Sequence, residues 1–361
     1  MKTTLHREYY VDRAWFDEES KNIFHNDWFC IGRLEDFHVA GDYKLIDISG
    51  QSLIILKGSD DHIRGFYNFC RHRGCELVDT KNLIREGNFK HNIRCPYHSW
   101  TYDLNGKLLN APHLNIDNED SEFHLKQIYL ENWGGFLFIK IGKQGDPLEI
   151  HLQEIPKLLE RYPLCELKSE IKVTYEVNCN WKVILENYNE CYHCAGVHPE
   201  LCEIVPSFRK NGGSDLDWDK GVPHKKGANT FTMSGTTTRK PFPGLNKYEK
   251  ERHFGQAIYP NLLISLAMDH VAIFIIKPTS ETKTEIEFRI MFHCDEISNE
   301  DFDPSDTFEL WDITNKQDWD ICEKVQRGMN SKGFKRGYYA EMEDENLNVK
   351  NYIKEKLNLN I

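Results

Sequence analysis

The sequence predicts an α+β protein, and three observations support this. The chain has 361 residues, of which 40% are hydrophobic, enough to build two domains or one large domain. Short β runs broken by turn signals fill residues 37–145, and helical periodicity appears before and after them. We therefore expect a small antiparallel β domain over 37–145. The larger domain should comprise residues 146–361 together with a helical N-terminal segment, residues 1–36.

The individual elements follow from the spacing of apolar residues. Aromatic residues at near-helical spacing predict an opening helix within 12–28. The β runs 43–48, 52–56 and 135–139, separated by Gly-containing turns, indicate the β domain. Beyond these the pattern predicts helices over 149–160, from about 180 and over 305–330. It also predicts strands near 169–178, 262–268, 271–277 and 284–293.

Composition excludes several classes of partner and location. The net charge of −12 without a basic block argues against nucleic acid. No apolar run is long enough to cross a membrane. The first residues, Met1 to Glu8, lack the apolar stretch of a signal peptide. Eleven cysteines without a disulfide-scaffold pattern indicate a cytoplasmic protein.

Two mixed pairs of Cys and His are the most specific feature of the sequence. The pairs are Cys70-x-His72 and Cys95-x-x-His98. A Rieske [2Fe–2S] cluster needs two Cys on one iron and two His on the other, which these pairs supply. A structural zinc site is the alternative, although zinc sites usually group Cys with Cys and His with His. The mixed pairing predicts the Rieske cluster.

The flanks of the two pairs predict how a cluster is held. Gly74 and Pro96 suit two tight loops that enclose a cluster from opposite sides. Tyr97 and Ser99 are candidate hydrogen-bond donors to the cluster or to its sulfur ligands, a contact that tunes the reduction potential.

A second metal site is predicted in the segment that begins near Asn180. On a helix, Glu186, Glu190 and His193 recur at i, i+4 and i+7 and share one face. His198 lies five residues after His193, but the Gly and Pro near it allow the backbone to break and return the imidazole. Two neutral imidazoles and one carboxylate form the facial triad of Fe(II) sites that activate O₂.

The third ligand is predicted on the C-terminal helix. Asp318 falls on its largely apolar stripe, where a carboxylate is costly unless it is paired or bound to metal. Asp320 and Asp312 share faces with charged residues and should contact water. Cys191 and Cys194 are interpreted as packed side chains, not ligands. The stripe consists of Trp311, Thr314, Asp318, Cys322, Val325 and Met329.

These segments resemble those of the Rieske non-haem iron oxygenases, specifically the oxygenase (alpha) component. The setting of Glu190 in Asn-Tyr-x-Glu-Cys-Tyr-His-Cys is most similar to the oxygenases of quaternary amines such as carnitine, choline and glycine betaine. The resemblance implies a Rieske domain within a helix-grip (Bet v1-like) catalytic domain that has a large antiparallel sheet. It also implies a homotrimer in which Glu190 links His98 of a neighbouring subunit to His193.

The resemblance further implies a terminal oxygenase that uses O₂ and electrons from a separate NAD(P)H-dependent flavin or iron–sulfur reductase. We expect it to hydroxylate, N-demethylate or cleave a C–N bond of a small molecule, either as a mono- or as a dioxygenase. A quaternary ammonium substrate could be held by cation–π contacts. Hydroxylation of an aromatic ring or acid is the alternative, and a non-catalytic Rieske electron carrier is another. The candidate cage residues are Phe208, Trp218, Phe231 and Tyr259.

Overall fold

The chain forms two compact units. The computed structural model describes residues 1–81, 84–142, 145–214 and 216–359, without the side chains of residues 211 and 212. The smaller unit comprises Phe24–His151, and the larger comprises Met1–Ile23 with Leu152–Ile361. The smaller unit extends beyond the predicted 37–145 at both ends. The reason is that a strand at Phe29–Arg33 pairs with one at Phe136–Lys140, and the amide of Ile141 donates to the carbonyl of His25.

The smaller unit is built from antiparallel strands, as predicted. Seven of them form one sheet in the order β1-β10-β9-β4-β3-β2-β5, and the short strands β6-β7-β8 form a second sheet. The predicted runs 43–48, 52–56 and 135–139 are confirmed as β2, β3 and β10. The strands are β1 (Phe29–Arg33), β2 (Asp42–Ile48), β3 (Gln51–Lys57), β4 (Ile63–Tyr67), β5 (Glu86–Asn88), β6 (Ile93–Arg94), β7 (Thr101–Tyr102), β8 (Leu108–Asn110), β9 (Gln127–Trp133) and β10 (Phe136–Lys140).

The larger unit is centred on a six-stranded antiparallel sheet in the order β11-β16-β15-β14-β13-β12. The four predicted strands are confirmed as β11, β14, β15 and β16. Strands β14 to β16 carry nearly continuous buried apolar residues, so this sheet forms the core of the unit. The strands are β11 (Leu167–Val177), β12 (Val222–Pro223), β13 (Arg252–Ile258), β14 (Leu262–Leu266), β15 (His270–Ser280) and β16 (Lys283–His293).

The helices differ from the prediction mainly in length. The predicted helix at 305–330 is α9, and the opening helix expected within 12–28 is α2, which begins after Asp12 and continues as a π-helix over Ser20–Phe24. The single helix expected over 149–160 is instead divided into α3 and α4. The α-helices are α1 (Glu8–Val11), α2 (Arg13–Glu19), α3 (Leu148–Leu152), α4 (Ile155–Leu158), α5 (Trp181–Tyr188), α6 (Cys194–Val197), α7 (Pro199–Ile204), α8 (Cys294–Ile297), α9 (Ser305–Met329) and α10 (Asn346–Lys356).

Helix α9 packs against the six-stranded sheet through its aromatic residues. The ring of Trp311 lies 6.0 Å from the rings of Phe274 and Phe288, and the ring of Trp319 lies 6.3 Å from Phe274. A long helix against an antiparallel sheet is the arrangement expected for the catalytic domain. No helix in the described part of the chain is long and apolar enough to cross a membrane.

Candidate metal centres and the adjoining cavity

The two Cys/His pairs occupy matching loops of the smaller unit. The loop after β4 closes when the amide of Cys70 donates to the carbonyl of Cys75 at 2.8 Å. The loop between β6 and β7 repeats this bond between Cys95 and Trp100, also at 2.8 Å. Both Cys70 and Cys95 are buried in the apolar core of the unit. Two loops that are closed by equivalent backbone hydrogen bonds therefore present one thiol each, as the sequence suggested.

Left-handed backbone closes both loops. Gly74 has φ +74°, and Ser99, at the equivalent position of the other loop, has φ +63°. Each amide donates to the carbonyl of the cysteine four residues earlier. Glycine adopts this conformation without strain, whereas a serine there is disfavoured by its Cβ. The first loop thus satisfies its geometry more easily than the second.

The four predicted cluster residues lie together. Burial, with a contribution from the neighbouring Cys95 thiol, raises the pKa of Cys70, so the two sulfurs are close to each other. The imidazole rings of His72 and His98 are 4.8 Å apart between centroids. His98 is exposed, and the ring of Tyr97 lies 3.7 Å from it. The donor set of two thiols and two imidazoles fits a [2Fe–2S] cluster.

The hydrogen bond to a cluster sulfur comes from Tyr102, which the sequence did not single out. The Tyr102 hydroxyl lies 3.3 Å from Cys70 Sγ and accepts from the amide of Arg71 at 3.0 Å. Burial, and then the bond to Cys70, raises the pKa of Tyr102, so the hydroxyl keeps its proton and is the donor. Tyr97 is 57% exposed, and the Ser99 hydroxyl accepts from Arg94, so donation from either residue stays a prediction.

In the larger unit, helix α5 positions the segment that carries the histidines. The side chain of Asn180 caps its N-terminus by accepting from the amide of Lys182. The helix ends at Tyr188, so Glu190 and His193 lie in the following turn and do not share a helical face with Glu186, contrary to the prediction. Burial raises the pKa of Glu186 to about 7, although it accepts from Tyr10 and Tyr339.

Glu190 fixes the orientation of His193. Its Oε1 accepts from His193 Nδ1 at 2.7 Å, and its Oε2 accepts from the amides of Tyr192 and His193. Because the carboxylate can only accept, the proton of the imidazole sits on Nδ1. The Nε2 lone pair of His193 is therefore free to face the other predicted ligands.

Gln317 fixes the orientation of His198 in the same way. The Gln317 amide donates from Nε2 to Glu200 Oε2 at 3.1 Å, which leaves Oε1 to accept from His198 Nδ1 at 2.7 Å. His198 stands at the backbone break between α6 and α7, where Pro199 begins the next helix. The break expected near this Pro therefore occurs. The sequence analysis did not assign this role to Gln317, because it lies 119 residues from His198 and 117 from Glu200.

The three predicted iron-site atoms converge on one point. His193 Nε2 and His198 Nε2 are 3.2 Å apart, and Asp318 Oδ1 lies 3.2 Å and 2.9 Å from them. Adjacent ligands of an octahedral cation at roughly 2.1 Å are about 3.0 Å apart. With both Nδ1 protons held as above, the two Nε2 lone pairs and the Asp318 oxygen face one point, where all three can bind a cation. The residues fit a mononuclear iron.

The electrostatics of the site also favour a positive charge at this point. Burial alone would lower the pKa of His193, but the neighbouring carboxylates of Asp318 and Glu190 raise it to about 10. The pKa of Asp318 is lowered despite burial, because His193 and His198 lie beside its carboxylate. Carboxylates on two sides of His193 thus favour a cation between them.

Asp318 is the acidic residue of α9 that reaches the histidines. Asp320 is 60% exposed and pairs with Lys324, and Asp312 accepts from Tyr175. The predicted inward stripe is wrong at Val325, which is 40% exposed toward the end of the helix.

The structure pairs Cys191 with Cys194 in a disulfide, which the sequence analysis did not predict. Their Cα atoms are 4.9 Å apart, because three residues of tight turn bring them together. Both sulfurs are used in this bond, so neither is offered as a thiolate ligand beside His193.

A cavity of about 620 Å³ adjoins the three converging side chains. Its volume is within the range of small-molecule sites. All four aromatic residues suggested as a cage line it, namely Phe208, Trp218, Phe231 and Tyr259. The sequence missed further aromatic residues of the lining, which are Tyr188, Phe274, Trp311 and Trp319.

A family model for the ring-hydroxylating alpha subunit (catalytic domain) matches residues 164–358, more than half of the chain. The chain belongs to this family. A model for the Rieske [2Fe–2S] domain matches residues 27–123. The protein is therefore an oxygenase component with a [2Fe–2S] cluster and a mononuclear iron. The two alternatives, a structural zinc site and a non-catalytic electron carrier, are set aside by these matches.

Several characterised proteins are similar over nearly the whole chain. The glycine betaine monooxygenase oxygenase subunit of Pseudomonas aeruginosa is 27% identical, over 94% of this chain and 85% of its own length. The carnitine monooxygenase oxygenase subunit of Escherichia coli K12 is 29% identical, over 92% and 86%.

Solved structures agree on the fold of this Rieske oxygenase. A quaternary ammonium Rieske monooxygenase superposes with a TM-score of 0.77 at 23% identity, covering 98% of this chain and 95% of the other. Naphthalene 1,2-dioxygenase from Rhodococcus superposes with a TM-score of 0.73 at 18% identity, covering 99% and 95%. The predicted α+β architecture of a Rieske domain and a catalytic domain is confirmed.

Proposed function

We propose that this Rieske oxygenase oxidises a quaternary ammonium compound. The observation that carries the proposal is the cavity beside His193, His198 and Asp318, which is lined by aromatic rings and carboxylates. Aromatic faces attract a tetraalkylammonium group, which cannot donate hydrogen bonds. The similarity to the glycine betaine and carnitine enzymes supports the same substrate class. Hydroxylation of an aromatic acid is not favoured, because the lining is acidic.

The proposal assigns the metals to the residues that converge. Cys70, His72, Cys95 and His98 would hold the cluster, and His193, His198 and Asp318 would hold the iron. When bound, the cluster supplies single electrons and the iron supplies O₂ activation. The chain's own groups fix the ligands: Glu190 and Gln317 hold the Nδ1 protons of the two histidines. The aromatic rings orient the substrate and exclude water from it.

We propose further that Glu190 carries the electron route between subunits of a homotrimer. One carboxylate oxygen is bonded to His193 Nδ1, and the side chain retains 10% exposure. His98 is exposed on the surface of its own unit, so it is accessible to another subunit. The electrons would come from a separate NAD(P)H-dependent reductase, since the sequence has no dinucleotide-binding fingerprint. A cytoplasmic location remains a prediction, and the Cys191–Cys194 disulfide does not support the cysteine usage on which it was based.

Replacing Glu190 tests the route without removing a ligand. Loaded with saturating Fe(II), which offsets the weaker hold on His193, Glu190→Ala should contain three iron atoms per chain and show the reduced-cluster signal in electron paramagnetic resonance. Turnover of choline or betaine with a generic reductase should be lost, because the link to His193 is gone. Asp320→Asn, on the exposed face of α9, is the control. Normal turnover by Glu190→Ala would show that the bridging role is wrong.

A further inference from the structure

The charge of the cavity lining narrows the substrate class. Among the described residues no Lys or Arg side chain lines the cavity, whereas seven carboxylates do. Two of them, Glu190 and Asp318, belong to the iron site. The other five lie toward the mouth and are exposed: Asp217, Asp219, Glu341, Asp344 and Glu345. An acidic mouth attracts cations and repels anions over the screening distance of the solvent.

Neighbouring cations offset only part of this charge. Lys220 Nζ pairs with Asp217 at 2.6 Å, and Lys2 Nζ pairs with Asp344. Within the described residues, Asp219 and Glu345 have no such ion pair. Even when a ferrous ion is counted, the carboxylates are in excess around the cavity. The lining therefore carries a net negative charge, most of it where the cavity meets solvent.

His253 is the remaining side chain of the lining that could carry a positive charge apart from the two iron-site histidines. It is 5% exposed, and the ring of Phe231 stacks on it at 4.0 Å. Burial, and then the neighbouring His224 and His270, lower the pKa of His253 well below its ordinary value. The ring is therefore neutral at physiological pH. It offers no counter-charge to an anionic group.

A substrate carboxylate would meet only neutral donors in this cavity. Amides such as Asn189 and Asn315 line it and can bind a hydroxyl group. They cannot neutralise a buried anion, whose desolvation is costly without a paired charge. The trimethylammonium group, by contrast, meets the aromatic rings and the negatively charged lining. We infer, resting on the function proposed above, that the substrate is a choline-like quaternary ammonium cation without a carboxylate, not a betaine or carnitine zwitterion.

Calorimetric titration of the iron-loaded enzyme tests this inference with three ligands. The probes are choline, glycine betaine and 3,3-dimethyl-1-butanol, the uncharged carbon analogue of choline. We expect choline to bind roughly tenfold or more tightly than glycine betaine, a difference of about 1.4 kcal/mol. Glycine betaine binding as tightly as choline overturns the inference but leaves the proposed function standing. Glycine betaine binding without choline binding likewise overturns the inference alone, whereas equal binding of the uncharged analogue, or no binding of either quaternary ammonium ligand, overturns the proposed function itself.

A charge substitution in the lining provides a second test. Gln256→Lys introduces a cation into the cavity, and Gln256→Met is the matched neutral control. We expect the Lys variant to move the ratio of the two dissociation constants toward glycine betaine by several-fold, and the Met variant to leave that ratio unchanged. A ratio that is the same in the Lys variant and in the wild type would show that cavity charge does not select the substrate.

Discussion

Removing the Tyr102 hydroxyl should lower the reduction potential of the cluster. This hydroxyl is 3.3 Å from Cys70 Sγ, and the Tyr102 side chain is fully buried. Reduction adds negative charge to the cluster, which strengthens a hydrogen bond donated to its sulfur ligand. In the Tyr102→Phe variant no water can replace the donor, because the site is closed. The oxidised form is then favoured relative to the wild type.

The size of the effect follows from the energy of one hydrogen bond. Its net contribution is about 0.5–1.5 kcal/mol, and more when one partner is charged. For a one-electron couple about 59 mV corresponds to about 1.4 kcal/mol. A bond that is stronger by about 1 kcal/mol in the reduced state therefore accounts for about 40 mV. We expect the potential of Tyr102→Phe to be lower by roughly 20–60 mV.

A potentiometric titration followed by electron paramagnetic resonance measures this shift directly. The absorption spectrum first establishes that the variant holds an intact cluster. Tyr97→Phe is the matched control, since that hydroxyl belongs to an exposed ring that packs on His98. Its potential should equal that of the wild type. An unchanged or higher potential in Tyr102→Phe, with the cluster intact, would refute the assignment of this donor.

Three further predictions concern the iron site, the cluster loop and pH. Gln317→Leu removes the acceptor that holds the Nδ1 proton of His198, so iron retention against a chelator should fall about 10–100-fold, with Asp320→Asn unaffected. The Cβ of Gly74→Ala meets open space, but the residue must still adopt φ +74°, which should lower the free energy of unfolding by about 1–2 kcal/mol. The cluster absorption should therefore be lost at a lower denaturant concentration than in the wild type, and an unchanged midpoint would contradict this. The folded pKa of Glu186, about 7, exceeds its unfolded value of 4.5, so the folded state binds the extra proton in that interval. Stability should fall as pH rises from 4.5 through 7 by up to about 3 kcal/mol, and Glu186→Gln should flatten that part of the unfolding curve.

Local spacing made both metal sites predictable. The chemistry of a ligand set depends on residue types a few positions apart, and these are visible in Cys70-x-His72 and in the pair His193 and His198. The inward position of Asp318 also follows from sequence, because helical periodicity determines which face of α9 is apolar. The strands of both units were predicted for the same reason, whereas the antiparallel sheet of the larger unit was implied only by the family resemblance.

Contacts between residues distant in sequence were decided only by the tertiary structure. Gln317 fixes the tautomer of His198 from a position 119 residues away, and Tyr102 reaches Cys70 from 32 residues away. Periodicity placed Glu186 with Glu190, but the helix ends at Tyr188, and this separates them. The sign of the cavity's net charge could likewise be determined only from the tertiary structure, because it depends on which charged side chains line the cavity.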